Sequence, residues 1–207
     1  MTAPVLLDYA SVLIFALTGA LVASRAQLDL VGFAFIACLT AVGGGTLRDV
    51  MLDRHPVFWM NDPTYILIAV CAAVLIFFTA HLVESRYRWL LWLDAFALAV
   101  AVPAGVSAAL LMTQPMPIVV LMGMTTGCMG GLMRDVVIGE VPLVLRKGAL
   151  YVSAAFAGSL TATILDRLGF EAIIVLSACG VVTWALRAGS LAFGWALPIY
   201  KARPPHE

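Results

Sequence analysis

Two short runs of this chain could do ionic chemistry. Gly43-Gly44-Gly45-Thr46-Leu47-Arg48-Asp49 places a guanidinium beside a carboxylate three residues past a glycine triplet. Gly130-Gly131-Leu132-Met133-Arg134-Asp135 does the same further along. Ionised side chains inside apolar segments are costly in lipid, and where they occur they mark ion or solute pathways, or the charge pairs that support them. Neighbours on a helix point about 100° apart, so each arginine is expected to look beyond its adjacent aspartate for a partner. Two pairings are open. Arg48 could meet Asp8 and Arg134 could meet Asp94, each within its own half. The halves could instead cross-pair, Arg48 with Asp135 and Arg134 with Asp49. A third possibility is that both arginines snorkel to the headgroups as interfacial anchors.

The two runs are copies. They lie 86 residues apart, and the same offset aligns Leu7, Asp8, Gly19, Thr40, Pro56 and Tyr65 with Leu93, Asp94, Gly105, Thr126, Pro142 and Tyr151. The chain is therefore an internal duplication, with repeat 1 over residues 5–84 and repeat 2 over 91–170. Duplicated membrane proteins carry their site between the halves.

The elements that position these residues are membrane helices. The 207 residues are 63% hydrophobic and 12% charged, with a net charge of zero. Soluble domains carry about twice that charged fraction, and bulk charge points to no nucleic-acid partner. A hydrocarbon core of about 30 Å takes about 20 apolar residues as a helix. Seven such stretches are expected, near Leu7–Ser24, Leu30–Leu52 and Tyr65–Val83, two within the charge-free Ala95–Met133 either side of Gln114-Pro115-Met116-Pro117, then Ala149–Leu165 and Glu171–Arg187. The runs are continuous rather than alternating, which disfavours a barrel. The first has no basic region before it and is expected to stay as a span.

Three spans per repeat is an odd number, so the second repeat enters the membrane from the opposite side and the repeats are inverted. The expected fold is a single all-α membrane domain over 1–207: an inverted 3+3 repeat, a seventh helix at 171–190 packed outside it, and a tail at 199–207. One face carries Arg48, Arg54 and Arg167; the other carries Arg25, Arg86, Arg88, Arg134, Arg146, Lys147, Arg187, Lys201 and Arg203. Positive charge marks the cytoplasmic side, which places the N-terminus outside and the C-terminus inside.

At about 1 kcal/mol each, the glycine triplet of span two weakens its helix enough to invite a kink or an unwound turn, and Gly127-Cys128-Met129-Gly130-Gly131 is the equivalent stretch in span five. Irregular backbone at that depth needs protein or water around it. Small residues also let helices pack closely, as Gly127 and Gly131 would at their four-residue spacing. Thr18, Thr40, Thr46, Thr125 and Thr126 are the other polar groups in these runs; each could line a path or bond its own preceding turn. Pro103 is expected to kink span four.

Catalytic signatures are missing: there is no His-Glu-x-x-His, Gly-x-Ser-x-Gly or Walker loop. His55, His81 and His206 fall at span ends or in the tail, and Cys38, Cys71, Cys128 and Cys179 have no paired spacing, so no metal site or cofactor is expected. Trp59, Trp89, Trp92 and Trp195 fall near span ends, where an aromatic belt accounts for them.

The doubled glycine and Arg-Asp motif, at its fixed separation and over residues 5–190, resembles that of the trimeric intracellular cation channels in their prokaryotic form, a branch also described as a glycine-transporter-type domain. The resemblance implies a homotrimer in an inner membrane, a pore in each subunit between helices two and five, and passive flow of monovalent cations, chiefly potassium. It implies pore-lining or gating roles for Gly43, Gly44, Gly45, Thr46, Arg48, Asp49, Gly130, Gly131, Arg134 and Asp135, with Asp8 and Asp94 as possible charge partners. A fixed guanidinium close to the path repels potassium unless neutralised. The arginines are therefore expected to be paired, with ions meeting carbonyls, threonine hydroxyls and water. Lipid is an expected partner, but the inositol phospholipid of animal members is not carried over, because this chain has Arg-Asp in place of their lysine motifs. A carrier of a small polar solute such as glycine, working by alternating access, uses the same architecture. A scaffolding protein without transport is the third reading.

Overall fold

A computed structural model describes residues 3–82, 86–146 and 148–198, and these are helical with no strand among them. The helices are α1 (Ala3–Arg25), α2 (Leu30–Met51), the four-residue α3 (Phe58–Asn61), α4 (Thr64–Thr79), α5 (Arg86–Leu111), α6 (Met116–Ile138), α7 (Val152–Arg167) and α8 (Ala172–Phe193). A short 3-10 turn, Ala80–Leu82, extends α4, and a second, Leu143–Leu145, sits between α6 and α7. The tail at 199–207, with Lys201 and Arg203, and Lys147 lie outside the described residues.

Local chemistry sets several of the ends. The Asp29 carboxylate accepts a 2.7 Å hydrogen bond from the Gly32 amide and caps α2. Pro115 precedes α6, and Gly139 ends it in the left-handed region at φ +79°, where an L side chain would be strained. Gly194 ends α8 in the same way at φ +71°.

Among the described residues six helical stretches are long and apolar enough to cross a bilayer: Pro4–Arg25, Leu30–Met51, Thr64–Leu82, Tyr87–Leu111, Met116–Ile138 and Ala172–Phe193. The sixth expected span is α7, whose 16 residues cover about 24 Å at 1.5 Å per residue, short of a full core thickness. The fourth span begins earlier than the charge-free stretch suggests. Its helix starts at Arg86, so Asp94 lies well inside α5 and is fully buried.

The bundle is built around the duplication. In repeat 1, α1 packs on α2 and α4; in repeat 2, α5 packs on α6 and α7. The halves meet through the equivalent helices, α1 on α5 and α2 on α6. The last of these contacts gives the sense of the two chains: Gly44 lies on Thr126 and Gly130 lies on Thr40. As one helix advances the other recedes, so α2 and α6 run antiparallel, as an inverted repeat requires. The unrepeated α8 rests on α5 and α7.

The core is rich in alanine (Ala16, Ala20, Ala37, Ala69, Ala97 and Ala155 are all fully buried), which brings helix axes close together. Large apolar side chains such as Val31, Phe35, Leu67, Phe78, Ile173 and Val181 face outward. That distribution suits a lipid surround, where the outside is as apolar as the inside. The sequence expectation of a glycine break is not met as an unwound turn. Both α2 and α6 remain helical through their glycines, and Pro103 sits inside a continuous α5.

Candidate functional site

Gly43, Gly44 and Gly130 of the two motifs face the opposite repeat. A Cβ placed on Gly44 would stand 2.3 Å from the Thr126 carbonyl oxygen, and one on Gly130 would stand 2.3 Å from the Thr40 carbonyl oxygen. These are one contact seen twice through the pseudo-two-fold. A second symmetric pair sits behind it, where Gly19 meets the Thr40 hydroxyl and Gly105 meets that of Thr126. The Thr40 and Thr126 hydroxyls each donate to the carbonyl four residues back, Ile36 at 2.6 Å and Met122 at 2.8 Å. Gly43 faces the Met133 sulfur, Gly45 the Phe58 ring and Gly131 the Tyr151 hydroxyl. Close packing and a central position therefore occur in the same residues.

On either side of this crossing stands a charge cluster. In the first, Arg48 Nη1 reaches Asp8 Oδ1 at 2.9 Å and Nε reaches Asp49 Oδ1 at 2.9 Å. Arg54 adds a second guanidinium to Asp49 Oδ1 at 3.2 Å. In the second, Arg134 Nη1 reaches Asp94 Oδ1 at 3.2 Å and Nε reaches Asp135 Oδ1 at 2.8 Å. The pairing is within each repeat, not across them. Each arginine also bonds its neighbouring aspartate, against the expectation drawn from the 100° offset. The guanidinium is long enough to fold back through Nε while its tip reaches the earlier helix. Snorkelling is ruled out by position, since both arginines are fully buried.

The remaining carboxylate oxygens receive backbone amides. Asp49 Oδ2 accepts from Phe58 N at 2.9 Å, and Asp135 Oδ2 accepts from Leu143 N at 2.8 Å. Each cluster is thereby tied to the short turn that follows it, α3 in repeat 1 and the 3-10 turn in repeat 2.

The clusters are not equal. The first reaches the surface, with the Asp8 side chain 17% and that of Arg54 40% exposed, whereas Arg134 and Asp94 in the second are sealed. The repeat mate of Arg54 is Glu140, which turns away to pair with Arg25 at 3.1 Å. In compensation, Arg134 Nη1 donates across the repeat boundary to the Thr18 hydroxyl at 3.0 Å. Asp94 Oδ2 and one terminal nitrogen each of Arg48 and Arg134 have no partner among the described residues.

Sequence reasoning missed four contributors. Trp59, read as an interfacial aromatic, donates its indole N–H to the Thr46 hydroxyl at 2.9 Å. Phe58 covers Gly45 and lies 5.4 Å from the Arg48 guanidinium. Tyr151 stands beside Gly131 and Asp94. Leu143 acts through its amide. Tyr151 alone was signalled, as the repeat mate of Tyr65; the others lie in turns whose register slips between the halves. Thr125 is buried and has no side-chain hydrogen bond among the described residues. Among the described residues no group of histidine, cysteine and carboxylates could hold a metal.

The family model described as Glycine transporter matches residues 5–81 and 91–167, once per repeat. The chain is 35% identical over 199 residues to a UPF0126 membrane protein of Vibrio cholerae, covering 94% of this chain and 82% of that protein. It is 34% identical to a UPF0126 inner membrane protein of Escherichia coli strain K12, covering 94% of both. Among solved structures, a trimeric intracellular cation channel orthologue from Rhodobacter sphaeroides superposes with a TM-score of 0.90 at 41% identity, covering 94% of this chain and all of that one.

Proposed function

The chain belongs to the prokaryotic trimeric intracellular cation channel family, to which the Glycine transporter model also points, and from that membership we propose that it is a passive channel for monovalent cations, preferring potassium. The observation that carries the proposal is the α2–α6 crossing. Two antiparallel helices touch there through glycine, and an arginine held by two aspartates lies on each side.

A cation moving along this seam meets arginines whose charge is already matched, so repulsion is short-ranged. Backbone carbonyls near Gly43, Gly44, Gly45, Gly130 and Gly131, and the Thr46 hydroxyl, replace its hydration. Arg48, Asp49, Arg134 and Asp135 brace the helices that form the wall. The Gly44–Thr126 and Gly130–Thr40 contacts are the closed constriction. Opening bends α2 and α6 at their glycines, where side chains do not oppose the motion. The sealed second cluster is the tighter barrier and the surface-connected first cluster is the vestibule.

In this reading α7 is the sixth span and α8 the seventh, the chain is a homotrimer with one path per subunit, and it sits in an inner membrane with its basic face to the cytoplasm. The competing reading is the one named in the family description, a carrier of glycine or a similar solute. Proteoliposomes separate them. A channel dissipates a potassium gradient without saturation and does not exchange labelled glycine; saturable glycine counterflow without potassium leak would establish the carrier.

A further inference from the structure

Arg187 belongs to the unrepeated α8 and takes no part in either charge cluster. It is 2% exposed, yet its Nε and Nη1 have no hydrogen-bond partner among the described residues. The Tyr151 ring covers one face of the guanidinium at 4.9 Å. A buried guanidinium without an anion carries a desolvation penalty that a charge-assisted bond would offset.

Beside it opens a cavity of about 280 Å³, whose wall includes Tyr87, Leu143, Arg146, Arg187, Ser190 and Leu191. Arg146 is the second cation there; it donates to the Tyr87 hydroxyl and, at 3.4 Å, to the Val141 carbonyl. Ser190 Oγ accepts the Leu150 amide at 3.0 Å, which leaves its own proton available to donate. Among the described residues no acidic side chain lines the cavity. Glu140, in the adjoining turn, is engaged by Arg25, and Asp135, behind the Leu143 amide, by Arg134. The rest of the wall is apolar.

We propose that this cavity is a binding site for a phosphate group, gripped by Arg187 and Arg146 with Ser190 as a further donor. Two guanidinium forks match the oxygens and charge of a phosphate better than they match a spherical halide. The cavity lies where α5 begins and α8 ends, on the face that collects most of the basic residues, which is the level of lipid headgroups if the membrane lies as proposed above. The group could be carried by an anionic lipid or arrive free. The site does not depend on whether the seam between α2 and α6 conducts.

The test is thermal unfolding of the purified protein with two probes. Inorganic phosphate is titrated against chloride at equal ionic strength in detergent. Separately, nanodiscs of phosphatidylcholine are compared with nanodiscs containing phosphatidylglycerol. Saturating one site at tenfold excess raises Tm by about 3 °C for a chain of this size. The wild type gains that shift from phosphate if the ligand is free, or from phosphatidylglycerol alone if it is a lipid. Arg187→Gln abolishes it. Should Arg187→Gln fail to fold, Arg146→Gln at the partly exposed wall decides, and is expected to lose at least half of the shift. No shift with either probe in the wild type, or an undiminished shift in Arg146→Gln, would overturn the site.

Discussion

Asp49 and Asp135 do the same job in both halves, yet the arginines that serve them stand in unequal company. Removing Arg134 leaves Asp94 and Asp135, both deeply buried, with no other cation in contact among the described residues. Losing one partner of such a pair costs about 3–5 kcal/mol. Removing Arg48 leaves Asp49 still paired with Arg54, and Asp8 near the surface. Arg48→Ala is therefore expected to cost roughly half as much as Arg134→Ala, because one orphaned carboxylate keeps a cation and the other reaches the surface. Thermal unfolding in a single detergent checks the order. Equal losses would mean that the second cluster is hydrated and that the asymmetry is not real. The motif and its partners Asp8 and Asp94 are legible in the sequence because the repeat prints them twice. The fold-back of each arginine onto its own neighbour is not legible, since it depends on rotamers rather than on helical phase.

Helix by helix, the glycines divide by what they touch. Gly44 and Gly130 oppose backbone carbonyls, which cannot move without separating α2 from α6. Gly44→Ala and Gly130→Ala should each cost about 1–3 kcal/mol through overpacking. They should also raise basal potassium leak in proteoliposomes, since the added methyl holds the constriction apart. Gly43 closely opposes the Met133 sulfur, near the end of a flexible side chain, and meets the Gly130 backbone only at an ordinary 3.8 Å. Gly43→Ala gains about 1 kcal/mol of helix propensity and should be near neutral. A uniform effect across the three would put the glycines down to propensity alone. The sequence pattern locates these helices well. It misjudges their interior, because glycine composition cannot say whether a helix breaks or is pressed against a neighbour. Here a carbonyl of the inverted partner fills the space where a side chain would be, and the helix stays whole. The start of α5 was hidden for a related reason: Asp94 looked like a boundary and is instead a buried ligand of Arg134.

At the scale of the whole molecule, duplication gives two halves on one plan, and the two depart from symmetry at particular residues. Glu140 stands in place of a second Arg54, and the extra helix α8 rests on α5 and α7 of the second half alone. The apolar outer surface offers area for assembly as well as for lipid. Light scattering of the detergent-solubilised protein should return three times the mass of a subunit, independent of dilution; a monomer of intact fold would remove the trimer. The central claim is that ions pass between α2 and α6 within each subunit, and single-channel recording of the purified protein in a planar bilayer under a potassium chloride gradient tests it most directly. The account predicts unitary current steps that reverse near the potassium equilibrium potential, with open probability changed by Gly44→Ala. A flat record from protein that still folds, together with saturable exchange of labelled glycine, would contradict it.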